Sequence, residues 1–347
     1  MRRFARTMGA AALALAVVGG TAGWAAGDSQ AVVTGPPPGT AAWRADSSAG
    51  RPLPDPQTAP PAEVARFFAG LDETRRRELL RAHPLVVGNL EGAPLPLRYE
   101  ANRLAVIATG EARYASLAAQ GRRILAFDPR GRGQVAEVFG DLEHAAHVSV
   151  IVPGSDNDAT SHDAPRTPAT GPAGMAKSLR AATGGQGAVI AWTGYTTPVG
   201  VGLDAAGGRL AEAGAVRLAR FTAGLDAVGA PDPVLFCHSY GSVVCGLAAR
   251  HTDASDIVVF GSPGMRAGHV SALRTGARVW AARGPSDWIA DVPNVEVGGI
   301  GHGADPASPA FGARRVPAAD VQGHTGYFAP GTRSLAAFAT IAKGESR

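Results

Sequence analysis

Ser239 stands in the setting that a serine nucleophile needs. It lies in the run Pro233-Val-Leu-Phe-Cys-His-Ser-Tyr-Gly-Ser-Val-Val-Cys-Gly246, where an apolar stretch ends in His238-Ser239-Tyr240-Gly241 and a helical pattern starts at once with Ser242, Val243 and Val244. A turn that tight holds its central residue at a strained φ/ψ, and small residues two positions away relieve the crowding. Gly241 supplies one of them, while the other position carries Cys237, small but with a Cβ. A serine hydroxyl is a weak nucleophile at neutral pH. It requires a general base, and the base requires a carboxylate to orient it.

Asp287 is the expected carboxylate. It follows the apolar run Arg278-Val-Trp-Ala-Ala-Arg-Gly284 in the loop Pro285-Ser-Asp287, directly beyond a strand pattern, with Asp291 one turn on as the alternative. Two histidines compete for the base: His302 in Gly-His-Gly after the last apolar run, and His324 in Gly323-His-Thr-Gly-Tyr-Phe328 before the final helical segment. The Gly-bounded loop entering a terminal helix favours His324. His302 is then expected to line the pocket, and His238 to be structural.

The oxyanion that forms when serine attacks an acyl carbonyl needs two backbone N–H donors. Tyr240, directly after the nucleophile, is expected to give one, and Ser155 in Pro153-Gly154-Ser155 the other, with Gly154 next in line. Trp192, Tyr195 and Trp288 are expected pocket walls. The two cysteines, Cys237 and Cys245, flank the elbow and are too few for a disulfide framework, so both are expected as small buried packing residues.

The surrounding elements fit this arrangement. Short apolar runs at Ile124–Phe127, Val148–Val152, Ala188–Trp192, Val234–Cys237, Ile257–Phe260, Val279–Ala281 and Val295–Val297 alternate with helical stretches, notably Met175–Ala182, Leu210–Val228 and Ser242–Arg250. Alternation of this kind predicts a mainly parallel sheet with helices on both faces. Buried parallel strands are near-continuously apolar, as these are. A strand running into a serine turn and a helix is the nucleophile elbow of the α/β-hydrolase fold, in which the chain order is Ser, acid, His. Upstream, helices are expected from Pro61, over Asp72–Arg81, and from about Leu97 to Gln120. The division expected is a signal peptide over 1–27, a Pro-rich linker over 28–60, a helical region over 61–121 and a catalytic domain over 122–347.

Of the 347 residues, 45% are hydrophobic and 18% charged, enough apolar material for one large core and an accessory region. The net charge of +4 comes from scattered arginines, with no basic run interleaved with aromatics, so no nucleic-acid partner is expected. Arg2, Arg3 and Arg6 precede an apolar stretch from Met8 to Gly20 and small residues through Gly27, the pattern of an export signal. Secretion, with an uncleaved signal anchor as the alternative, and association with the cell envelope are the expectations. No dinucleotide fingerprint and no metal-ligand cluster occurs, so no cofactor is expected. His162-Asp163 and His302 with Asp305 come nearest to a metal set and are too sparse.

The chain resembles an actinobacterial α/β-hydrolase family of unknown function over about residues 62 to 328. The matching segments are Gly88-Asn-Leu-Glu-Gly-Ala-Pro94 with Arg98 and Ala101-Asn-Arg103, Ile124-Leu-Ala-Phe-Asp-Pro129, and His147-Val-Ser-Val-Ile-Val-Pro-Gly154. Ala191-Trp-Thr-Gly-Tyr195, His238-Ser-Tyr-Gly-Ser242, Phe311-Gly-Ala313 and Gly323-His-Thr-Gly-Tyr327 complete the match. The resemblance implies a triad at Ser239, Asp287 and His324, although the family usually has Gly where this chain has Cys237. The function expected is an esterase or lipase acting on a small-molecule or lipid ester. The alternatives are acyl transfer by the same triad, or a cell-surface binding protein that kept the scaffold and lost turnover.

Overall fold

The computed structural model describes residues 29–163 and 169–346, so the expected signal peptide lies outside the described residues. An eight-stranded sheet forms the centre, built from β1 (Ile124–Asp128), β2 (Gln134–Phe139), β3 (Val148–Val152), β4 (Ala188–Thr193), β5 (Val234–His238), β6 (Asp256–Phe260), β7 (Arg278–Ala282) and β10 (Arg314–Arg315). The strand order is β1-β2-β4-β3-β5-β6-β7-β10. β2 runs antiparallel to both β1 and β4, and the strands from β4 onward are parallel. β8 (Glu296–Val297) and β9 (Ile300–Gly301) form a separate small hairpin. The run Val295–Val297, expected as a sheet strand, is therefore an exposed hairpin arm instead.

Alternation along β5 shows why both faces are covered. Leu235 packs into one cluster with Leu218 and Phe221 of the helix Arg209–Ala227 and Val243 and Val244 of the helix Gly241–Ala248. Its neighbour Phe236 points the other way, against Leu179 of the helix Pro172–Ala182 and Phe338 of the helix Arg333–Ala342. Successive side chains of a strand face opposite sides, so a strand apolar throughout must be sandwiched. All five residues of β3, β5 and β6 are buried.

The helices Pro61–Ala69, Glu73–Ala82, Pro84–Gly88 and Leu95–Thr109 enclose a smaller core of their own. Asp72 caps the second of these by accepting from Arg75 N at 2.8 Å. The helix expected to reach Gln120 stops at Thr109, because Gly110 takes the left-handed conformation (φ 64°) that ends a helix, and a 3₁₀ segment Ala112–Ala118 follows. Within residues 29–60, expected as a linker, Thr40, Trp43, Pro54, Pro56 and Ala59 are buried and the rest are exposed or half-buried. The helix Thr40–Ala45 carries Trp43, fully buried in this core, with its indole N–H donating to Pro54 O at 2.7 Å.

A buried ion pair joins this region to the sheet layer. Arg98 binds Glu91 through two contacts of 2.6 and 3.0 Å. A Cβ on Gly224, in the helix Arg209–Ala227, would lie 2.3 Å from Glu91 Oε2, so only glycine lets the helix approach. Asn102 donates to Gly88 O and Ile124 O, both at 3.0 Å. The segment 88–103 is thus a structural joint. Breaking one partner of such a pair is costly because the other charge stays buried.

Candidate active site

Ser239 has φ 52°, a left-handed conformation rare for a residue with a Cβ. Conformations of this kind cost about 1–3 kcal/mol and persist only where their surroundings enforce them. Here Ser239 N donates to Phe260 O at 3.0 Å, tying the turn to β6, and Ser242 N donates back to Ser239 O at 2.9 Å. A Cβ on Gly241 would lie 2.3 Å from Val152 O, so the helix can start beside β3 only with glycine there.

The cysteines correct the expectation of simple packing residues. Cys237 and Cys245, eight residues apart and both fully buried, form a disulfide with their Cα atoms 6.5 Å apart. It ties the strand end two residues before Ser239 to the helix six residues after it. The side chain that replaces the usual glycine is therefore turned toward the helix and clamps both arms of the elbow.

Asp287 and His324 are brought together. Asp287, at the start of the 3₁₀ turn Trp288–Asp291, is buried and accepts three hydrogen bonds: from His324 Nδ1 at 2.7 Å, Tyr327 OH at 2.5 Å and Ile289 N at 3.0 Å. Burial works against its charge, but the bonds from His324 and Tyr327 outweigh it and hold the carboxyl below the ordinary carboxylate value. The Tyr327 hydroxyl, pushed well up by burial and the neighbouring carboxylate, stays protonated and accepts from Gly284 N at 2.9 Å. With Nδ1 donating to Asp287, the imidazole keeps Nε2 as its proton acceptor. Asp291 is exposed and takes no part in this cluster.

His238 is structural, and its role is specific. Its Nε2 donates to the carbonyl of His324 at 2.8 Å, and the two rings lie 4.7 Å apart. Burial first, then the neighbouring His324, lowers its pKa to about 3, so it stays neutral. Gly261 (φ 55°) completes the junction. A Cβ there would lie 3.0 Å from both Asp287 Oδ2 and His324 Cε1. Neither Gly261 nor Tyr327 was singled out from sequence as a site residue. Ser239 and His324 are both partly exposed, and among the described residues no hydrogen bond joins Ser239 Oγ to the imidazole. Such bonds are often open without substrate.

The loop after β3 presses on the serine. A Cβ on Gly154 would lie 2.6 Å from Ser239 Cβ, so Gly154 is the close approach. Asn157 Nδ2 holds this loop through Gly154 O at 3.2 Å and Ser155 O at 2.7 Å. Outside the helices and strands, neither Ser155 N–H nor Tyr240 N–H donates to another backbone carbonyl among the described residues. The Tyr240 ring turns away, its hydroxyl donating to Gly207 O at 2.9 Å and accepting from Ala211 N at 3.1 Å.

Three expected pocket residues are corrected. Trp192 is buried in the core against Phe221. Tyr195 is equally buried, and its hydroxyl donates to Pro153 O at 2.7 Å, supporting the loop from behind. His302 is buried with Nε2 donating to Ala205 O at 2.7 Å, where it braces the loop before the helix Arg209–Ala227. All three carry strong apolar or polar partners inside the fold. Trp288 does reach the site: it is partly exposed and packs 4.6 Å from the His324 ring.

Two other features lie apart. Glu137, His162 and Asp163 bring ligand atoms within 4.8 Å of one another. Arg122 already pairs with both carboxylates, which makes the group an ion-pair network. A cavity of about 640 Å³ opens beside the helix Pro172–Ala182, lined by His162, Lys177 and Leu335, and none of Ser239, Asp287 or His324 borders it.

A match to a family model agrees with this architecture. Residues 128–297, just under half of the chain, match the model of a family described as alpha/beta hydrolase. An uncharacterized protein of Mycobacterium tuberculosis is 29% identical over 376 residues, covering 84% of this chain and 57% of the relative. An uncharacterized protein of Mycobacterium bovis is 34% identical over 157 residues, covering 43% of this chain and 58% of the relative. The chain thus spans less than two thirds of the length of these curated relatives. Among solved structures, a predicted hydrolase from Thermoplasma acidophilum has a TM-score of 0.40 at 12% identity, over 65% of this chain and 97% of that one. A serine hydrolase without lid from Xanthomonas campestris has a TM-score of 0.38 at 14% identity, over 65% and 94%. By its strand order and the family match of residues 128–297, the chain has the α/β-hydrolase fold.

Proposed function

We propose that this protein is a serine hydrolase of the esterase or lipase type, with Ser239 as nucleophile, His324 as general base and Asp287 as the carboxylate that orients it. The observation that carries this reading is the pairing of a serine at φ 52° on a strand–helix turn with a buried Asp287–His324 hydrogen bond of 2.7 Å. As Ser239 Oγ bonds to the acyl carbon, its proton passes to His324 Nε2 and the carbonyl π pair moves onto oxygen. The N–H groups of Tyr240 and Ser155 receive that oxyanion. Collapse breaks the ester C–O bond, and the leaving alkoxide takes the proton from His324. Water then repeats the sequence on the acyl-enzyme and releases the acid. Asp287 stays ionised throughout and favours the imidazolium that forms at each transfer.

Export is part of the proposal. The Arg-rich, apolar start of the chain supports it, and so does the Cys237–Cys245 disulfide, since such bonds persist mainly in oxidising compartments. The test is a series of p-nitrophenyl esters of increasing acyl length given to purified protein. Wild type is expected to turn over at least the short soluble members, and Ser239→Ala to lose about 10⁶-fold in kcat. Turnover retained by Ser239→Ala would contradict the assignment.

A further inference from the structure

Of nine large apolar side chains exposed among the described residues, six lie in two short segments and a seventh, Trp288, lies against His324. Exposed apolar residues scattered singly are ordinary, whereas a contiguous patch marks an interaction surface. Val199 and Val201 stand on the loop after β4 and Leu203 opens the short helix Leu203–Ala206; Val295, Val297 and Ile300 stand on the β8–β9 hairpin. A backbone bridge between Gly207 and Ile300 joins the segments, and Arg266 secures the hairpin through Glu296 Oε1 at 2.7 Å and Gly299 O at 2.9 Å. Leu203 and Val297 are the most exposed of the six, at 71% and 75%.

The first segment borders the loop beside the proposed catalytic groups, and the hairpin follows Trp288 in the chain. Asp156 N donates to Pro198 O and Gly200 N to Asp156 Oδ1, each at 2.8 Å, so Val199 sits against the loop that carries Ser155. On the other side Trp288, the seventh exposed side chain, packs on His324. We infer that this apolar rim is a docking surface for neutral lipid, and that the ester cleaved is presented at a lipid–water interface. The inference rests on the hydrolase reading above for its catalytic half.

Charge selects the kind of lipid. Residues 195–208 and 284–313 contain no lysine or arginine. Of their acids, Asp204, Glu296 and Asp305 are paired with Arg209, Arg266 and Arg283, at 3.1, 2.7 and 2.5 Å, Asp287 is bound to His324, and Asp291 is exposed. Among the described residues this rim has no free cation to attract phosphate headgroups, so apolar contact with uncharged acyl esters is what recognises the surface.

The test compares the full chain with the double variant Leu203→Asp, Val297→Asp, whose positions touch no catalytic group. Two readouts are taken: kcat/KM on monomeric p-nitrophenyl butyrate, and flotation with triacylglycerol droplets together with hydrolysis of the droplet ester. The expected result is unchanged turnover of the soluble ester with at least a tenfold loss of droplet binding and droplet hydrolysis. Equal droplet binding by variant and wild type overturns the inference. So does a wild-type dimer in light scattering that the variant splits into monomers, which would assign the face to a second copy. Flotation lost only on deletion of residues 8–20 overturns it as well, by assigning lipid binding to that segment. A wild type that floats yet cleaves no ester refutes the hydrolase reading and leaves the docking surface supported.

Discussion

Replacing both Cys237 and Cys245 by Ala isolates what the disulfide contributes. The two half-cystines are eight residues apart, and in the chain-entropy model closing so short a loop stabilises the native state by about 2.5 kcal/mol. Both sulfurs are fully buried, so their removal also leaves small voids, which add to the loss. The clamp spans the residue held at φ 52°, and releasing it lets the turn relax part of a strain of about 1–3 kcal/mol. Relaxation of about 1.4 kcal/mol corresponds to a tenfold fall in kcat. Urea unfolding of the oxidised wild type and the double variant, with p-nitrophenyl butyrate turnover on the same preparations, reads both effects. The expected outcome is a loss of about 1–2.5 kcal/mol in unfolding free energy, the relaxed turn offsetting part of the chain-entropy term, and about tenfold in kcat, with KM little changed. A double variant as stable and as active as oxidised wild type, with reductant changing neither, would refute the clamp.

The two candidate histidines should separate cleanly. His324→Ala is expected to abolish ester turnover in a folded protein, whereas His302→Ala, which loses the bond to Ala205 O, is expected to lower thermal stability and keep most of kcat. Tyr327→Phe removes a hydroxyl that donates to Asp287 and accepts from Gly284 N; calorimetry should show a loss of about 2 kcal/mol, with a fall in kcat as the carboxylate loses a fixed partner. Acid should destabilise the fold early. His238 is held neutral with a pKa near 3, below its unfolded value, so the stability it contributes is complete above about pH 6.5 and falls by about 1.4 kcal/mol per unit between there and pH 3. The lowered carboxyl of Asp287 acts in the same direction. His238→Gln, measured by urea unfolding at pH 7 and pH 5, should show a shallower slope; an unchanged slope would contradict the assignment.

Much of this architecture was legible because its physics is local. Strands buried on both faces are apolar throughout, and β3, β5 and β6 announce themselves in that way. The elbow was legible because a strand, a serine and a helix with no intervening loop leave the chain few conformations. Chain order narrowed the acid to Asp287 or Asp291 and the base to His302 or His324, and the Gly-bounded loop before the last helix favoured His324. β2 escaped notice because Gln134 and Glu137 are buried polar residues inside it, Glu137 being matched by Arg122 and His162, partners distant in sequence. Val295–Val297 misled in the opposite sense: its apolar residues are exposed in a hairpin. The disulfide was hidden because Cys237 and Cys245 meet only across a sharp corner, whose angle no spacing rule encodes. Tyr327 and Gly261 escaped as site residues for the same reason, since their roles exist only once Asp287 and His324 have met.

Labelling with a fluorophosphonate tests the central claim most directly, because only a serine activated by a base and an oxyanion site reacts at a useful rate. Intact-mass analysis of the labelled full chain should show one adduct, and peptide mapping should assign it to Ser239. His324→Ala should label far more slowly, and Ser239→Ala should not label at all. An unlabelled wild type, or an adduct on any other residue with Ser239 unmodified, would contradict the account.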